Sequence, residues 1–151
     1  MKLLKNHGSL WQYELQDIEA VVLESLLKQY PFTNLTPVKI SNGKMKSEDL
    51  DREILLNESL AAHRNELKQI AVKLAKECLS RQKDKWFLTL KPDSKEILLQ
   101  ILNDIRVGIW KELGESEDIH EPPKDSMQKL KLWQCMQLSG YFEEMLVGVS
   151  G

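Results

Sequence analysis

"EILLQILNDIRVGIWKELG", residues 96–114, is the stretch on which the fold turns. At about 100° per residue, Ile97, Leu98, Ile101, Leu102, Ile105, Ile109 and Leu113 form one wide apolar arc, as a core-facing helix requires. Gly114 suits the position just past a helix end, and Asp93 or Ser94 suits the opening cap. Three polar residues interrupt the middle. Asn103 sits at the edge of the arc and Asp104 on the polar side, two turns from Lys111. Arg106 falls inside the arc, beside Leu99, Leu102, Trp110 and Leu113. A guanidinium placed there either reaches water along the Trp110 ring or is paired below the surface. A buried charge without a partner costs of order 3–5 kcal/mol, so a carboxylate or carbonyl from another helix is expected at Arg106. Asp104 lies almost opposite on the helix and is not that group. Asn103, Asp104, Arg106 and Trp110 are therefore candidates either for an interior clamp between helices or for a partner-contact surface.

Working upstream, "KWFLTL", residues 85–90, is rich in aromatic and β-branched types and bounded by polar turn residues, which predicts a strand. Residues 1–14 hold two short apolar runs around Gly8, which can supply the positive φ of a hairpin turn. The strand at 85–90 can join that ribbon. Asp17 can cap a first helix carrying Ile18, Val21, Val22 and Leu26 at helical spacing, stopped by Pro31. Residues 31–46 have the chemistry of a loop. From Ser47 the chain is helical by propensity to residue 82, with a break expected at Asn57 to Ser59. Its second part places Leu60, Leu67, Ile70, Ala71, Leu74 and Cys78 on one face.

Downstream, residues 115–125 read as an acidic loop, and Asp125 can cap a last helix. There Leu132, Trp133, Met136, Leu138, Phe142, Met145 and Leu146 fall on most sides. Such a helix lies at the centre of a fold or is covered by a partner chain, so Trp133 and Phe142 join the clamp or contact candidates. A protein partner or a homodimer through this helix is the expected use of the surplus. The fold class that results is mainly α: a bundle of four to five helices with a small N-terminal β-ribbon, in a single domain over residues 1–151.

Composition narrows the functional classes. With 42% apolar and 29% charged residues of both signs, the chain has the balance of an ordinary globular protein rather than a disordered one. A formal charge of −2 and pI of about 6.0 give no electrostatic footprint for nucleic acid or anionic membrane. Cys78 and Cys135 stand far apart without ligand spacing, which argues against a disulfide framework or zinc site and fits a reducing cytoplasm. No apolar run approaches the roughly 20 residues that span a bilayer.

The chemistry-bearing residues form no familiar constellation. His7, His63 and His120 are scattered among turn, helix and acidic loop. His63 and Glu66 reverse the Glu-x-x-His order of di-iron helices, and His63 reads as a core or boundary histidine. "DIHEP" places His120 among carboxylates, the pattern of a solvated loop. No phosphate loop, dinucleotide fingerprint or nucleophile elbow is present. No catalytic, cofactor-binding or metal residue is assigned, and no cofactor is expected.

The central helix carries a family resemblance. "LTL" followed by "KPDSKEILLQILNDIRVGIWKELG" resembles the core signature of the bacterial domain-of-unknown-function family numbered two thousand and seventeen. Its leucine-asparagine-aspartate-leucine-arginine stretch corresponds to Leu102, Asn103, Asp104, Ile105 and Arg106, and its leucine-glycine helix end to Leu113 and Gly114. "LQDIEAVVLESLL", "AAHRNELKQIAVKLAKECL" and "LKLWQCMQLSGYFEEMLV" are similar in order and pattern to the family's other blocks. The resemblance implies no activity. Members are often encoded beside the adaptor of the Clp protease, which implies a link to regulated proteolysis, and some have been labelled transcriptional regulators. The expectation is a cytoplasmic, non-catalytic interaction or adaptor-like protein. A transcription-associated DNA binder and an enzyme with an unrecognised site are the alternatives.

Overall fold

The computed structural model describes residues 1–6, 9–31, 47–114 and 121–148. The expected Gly8 turn, nearly all of the 31–46 loop and residues 115–120 lie outside them; residues 121–126 form no helix or strand. The chain is mainly helical, with four helices among the described residues and one antiparallel sheet.

Strands β1 (Lys2–Asn6) and β2 (Trp11–Leu15) form the N-terminal ribbon, and β2 pairs with β4 (Lys85–Leu90), the segment "KWFLTL". A fourth strand, β3 (Leu79–Gln82), pairs with the far side of β4, giving the order β1-β2-β4-β3. This corrects the helical reading of residues 79–82. The turn between β3 and β4 explains the miss, because Lys83 (φ 50°) and Asp84 (φ 66°) both adopt the left-handed conformation. A two-residue hairpin loop needs that geometry, and it is usually supplied by glycine or asparagine. Alternation decides which face is covered. Trp11, Tyr13 and Leu15 stand opposite Leu90, Leu88 and Trp86 on the face toward the helices. On the other face Lys85 Nζ meets Glu14 Oε1 at 3.4 Å.

Helix α1 (Asp17–Gln29) opens after Gln16, whose N–H donates to Glu19 Oε1 at 2.9 Å, so Asp17 is the first helical residue rather than the cap. Its core face is Ala20, Leu23, Leu26 and Leu27, followed by Tyr30. Ile18 and Val21, expected inside, are 66% and 60% exposed. Two β-branched residues suggested an apolar stripe, but leucines at helical spacing fill the interior.

Helix α2 (Ser47–Glu77) runs without interruption through Asn57 and Ser59, so the expected break is absent. Each of those residues costs only a few tenths of a kcal/mol in a helix, less than strong helix formers on both sides restore. Leu67, Ala71, Leu74 and Cys78 are buried as expected, whereas His63 is exposed rather than part of the apolar face.

Helix α3 (Pro92–Glu112) contains the deciding stretch. Its cap is Lys91, with Pro92 in the first turn, where its missing N–H costs nothing; Asp93 and Ser94 lie inside the helix. Gly114, at φ 95°, follows the last turn as the sequence suggested. Helix α4 (Met127–Val147) is capped by Ser126, whose Oγ accepts from Lys129 N–H at 3.3 Å. Asp125, expected in that role, instead pairs with Lys129 Nζ at 3.2 Å. Leu98, Ile101, Leu102 and Ile109 of α3 and Phe142 and Leu146 of α4 are fully or almost fully buried. The apolar surplus of α4 is largely taken up within the chain, since Leu132, Trp133, Cys135 and Leu138 pack against the same core.

Candidate functional site

The polar residues of α3 divide onto two flanks. On one, the Asp104 carboxylate accepts the Tyr30 hydroxyl hydrogen, and Arg64 Nη2 lies 3.3 Å from Asp104 Oδ1. This cluster joins the end of α1, the middle of α2 and α3. Toward the start of α2, Leu50, Ile54, Leu55 and Leu56 are exposed, whereas Glu53 is buried.

On the other flank Arg106 Nη1 meets Glu143 Oε2 of α4 at 3.0 Å. The Arg106 side chain is 43% exposed and that of Glu143 is 15% exposed. The guanidinium is thus partly hydrated while its carboxylate is mostly enclosed. Among the described residues, Glu143 Oε1 is buried with no hydrogen-bond partner. Gly140, one turn before Glu143, faces the stem of Arg106; a Cβ there would lie 3.7 Å from Cδ and Nε, an ordinary contact.

Beside this pair a cleft of about 260 Å³ opens between α3 and α4, lined by Asn103, Arg106, Val107, Trp110, Met136 and Gln137. Three of the residues singled out in the sequence, Asn103, Arg106 and Trp110, therefore share one opening. Asp104 belongs to the opposite flank. Phe142, expected as a clamp or contact residue, is 1% exposed, with its ring edge-on to Tyr141 at 5.3 Å, which removes it from any contact surface. Trp133 packs against the core from α4. Tyr30, Arg64 and Glu143 carry no local signal in the sequence, because each meets α3 from a different helix or helix end.

Removal of the Arg106 charge tests the clamp. Arg106→Ala is expected to cost about 1–2 kcal/mol in urea unfolding, less than a fully buried pair because Arg106 is half in water. Unchanged stability would leave Arg106 with a surface role only.

Titratable groups elsewhere follow their surroundings. Burial raises Tyr30, and the hydrogen bond to Asp104 adds to it. Tyr141 is pushed up to about 12 by its hydrogen bond to Glu19, with burial second. Burial pushes Glu19 upward, but hydrogen bonds from the N-terminal ammonium, Tyr141 and Gln16 N–H outweigh it and hold the carboxyl below its usual range. Burial raises both thiols, Cys78 and Cys135. Above the ordinary phenol value of 10.0 the unfolded chain releases protons that folded Tyr30 and Tyr141 retain. Their stabilisation is complete below that value and is lost as pH rises through the folded-state values. Thermal melts from pH 8 upward should show Tm falling in the alkaline range, with a shallower fall in Tyr30→Phe/Tyr141→Phe; equal slopes would refute the assignment.

Among the described residues, no three His, Cys, Asp or Glu side chains gather as a metal would require. His7 and His120 lie outside those residues. No helix among them is long and apolar enough to cross a membrane. No protein-family model, curated protein or solved structure matches this chain.

Proposed function

We propose that this chain is a non-catalytic, adaptor-like interaction protein that meets its partner at the cleft between α3 and α4. The carrying observation is the gathering of Arg106, Trp110 and Met136 around one opening, with Val107 exposed at its edge. Arginine, tryptophan and methionine are enriched at protein interfaces, and the first two dominate their binding energy. Glu143 holds the Arg106 fork in a fixed position, which lowers the ordering cost of presenting it to a partner carboxylate. The family resemblance of residues 88–114 adds Clp-type proteolysis as the setting and a cytoplasmic location, and both are part of this proposal.

The test is a pull-down of the tagged protein from its native lysate at moderate and high salt, read by mass spectrometry, beside Val107→Glu. Val107 is 41% exposed, so a charge there leaves the fold intact while entering the cleft. The expected result is one dominant protein, with the Clp adaptor or its unfoldase as the specific expectation, lost in the variant. Equal recovery by both forms would overturn the cleft as contact surface. Capture that depends on nucleic acid would favour the DNA-binding alternative.

A further inference from the structure

A second cavity, of about 460 Å³, lies between the N-terminal ribbon and the C-terminal end of α4, away from the α3–α4 cleft. That size falls in the range of small-molecule sites, about 300–1,000 Å³. Its walls are mostly apolar, with Leu3 and Trp11 from the ribbon and Met145 and Leu146 from α4. Two opposite charges line it, Lys95 from the first turns of α3 and Glu144 from α4. Among the described residues neither forms an ion pair, so they face one cavity from farther apart than ion-pair distance. The Lys95 ammonium rests instead over the Trp11 ring, 4.3 Å from its centroid, where its N–H donors stay available to an anion. Burial lowers the Lys95 pKa, the mark of an ammonium drawn partly out of water without a carboxylate to compensate.

We propose that this cavity binds a small zwitterion, a free α-amino acid with an apolar side chain. Its carboxylate meets Lys95, its ammonium meets Glu144, and its side chain lies against Trp11 and the Met145–Leu146 wall. A simple organic acid would gain Lys95 but face the Glu144 carboxylate, and a simple amine the reverse. Only a molecule carrying both charges satisfies both walls. Dissatisfaction of either end is what makes such a site selective.

Isothermal titration of the purified protein with L-leucine and L-phenylalanine tests this, beside two leucine analogues, 4-methylpentanoate without the ammonium and isoamylamine without the carboxylate. The expected result is saturable binding of at least one amino acid, at least tenfold weaker for both analogues. Lys95→Met and Glu144→Gln should each weaken the amino acid at least tenfold with circular dichroism unchanged. Glu144 is exposed, so its variant remains informative even if Lys95→Met disturbs the fold. No saturable heat with either amino acid, analogues that bind as tightly, or a Glu144→Gln protein that binds equally well would overturn the proposal. The α3–α4 cleft is untouched by these variants, so this result and the pull-down fail independently.

Discussion

Phe142→Ala should remove about 3–5 kcal/mol of stability, the range for truncating a buried aromatic residue. The side chain is 1% exposed within the shared hydrophobic core, where close-packed surroundings relax only partly over the space it leaves. Against a total stability of about 5–15 kcal/mol, that is a large fraction. For a chain of this length Tm should fall by on the order of 10 °C. The measurement separates two uses of α4. If Phe142 belonged to a contact surface, alanine would leave Tm unchanged and weaken partner capture. Its burial predicts the opposite, with stability lost and any weakened capture explained by unfolding.

Asp104→Ala ranks next, at an expected 2–3 kcal/mol, by about the cost of stranding a buried donor together with the loss of a partly screened ion pair. The Tyr30 hydroxyl belongs to a residue 1% exposed, and Asp104 is its acceptor. Arg64 loses its carboxylate at the same time. Asp104→Asn retains an acceptor for Tyr30 and should recover more than half of the loss in urea titrations. Equal effects of the two substitutions would show that the charge toward Arg64, rather than the hydroxyl acceptor, carries the contribution.

These two residues also show where reading the chain by pattern succeeds. The arc of α3 is legible because seven isoleucines and leucines repeat at helical spacing, and β4 because its aromatic and β-branched side chains suit a pleated, half-buried surface. Strand β3 is not legible. "LSRQ" has no strand composition, and its left-handed turn is made by lysine and aspartate. On α1 the spacing places Val22 and Leu26 toward the core but also Ile18 and Val21, because isoleucine and valine weigh as heavily as leucine in a periodicity argument, although only packing decides between adjacent stripes. That Arg106 sits within an apolar arc follows from spacing alone. That its carboxylate is Glu143 does not, since 37 residues separate them. Asp104 is the reverse case: spacing places it on the polar side of the helix, while its partners come from Tyr30, just after α1, and from Arg64 of α2.

The order β1-β2-β4-β3 has a consequence for how the chain comes to be built. Trp11 pairs with Leu90 and Leu15 with Trp86, so the ribbon has no neighbour to complete it until residue 90 has left the ribosome. At about 5–20 residues per second, the ribbon waits several seconds with Trp11, Tyr13 and Leu15 uncovered. Hairpin β3–β4, local in sequence, is free to form as soon as it emerges. The central seam of the sheet is therefore the last of its pairings to close. Lys2 and Lys5 on the outer strand place charge along an edge that would otherwise recruit another chain during that interval.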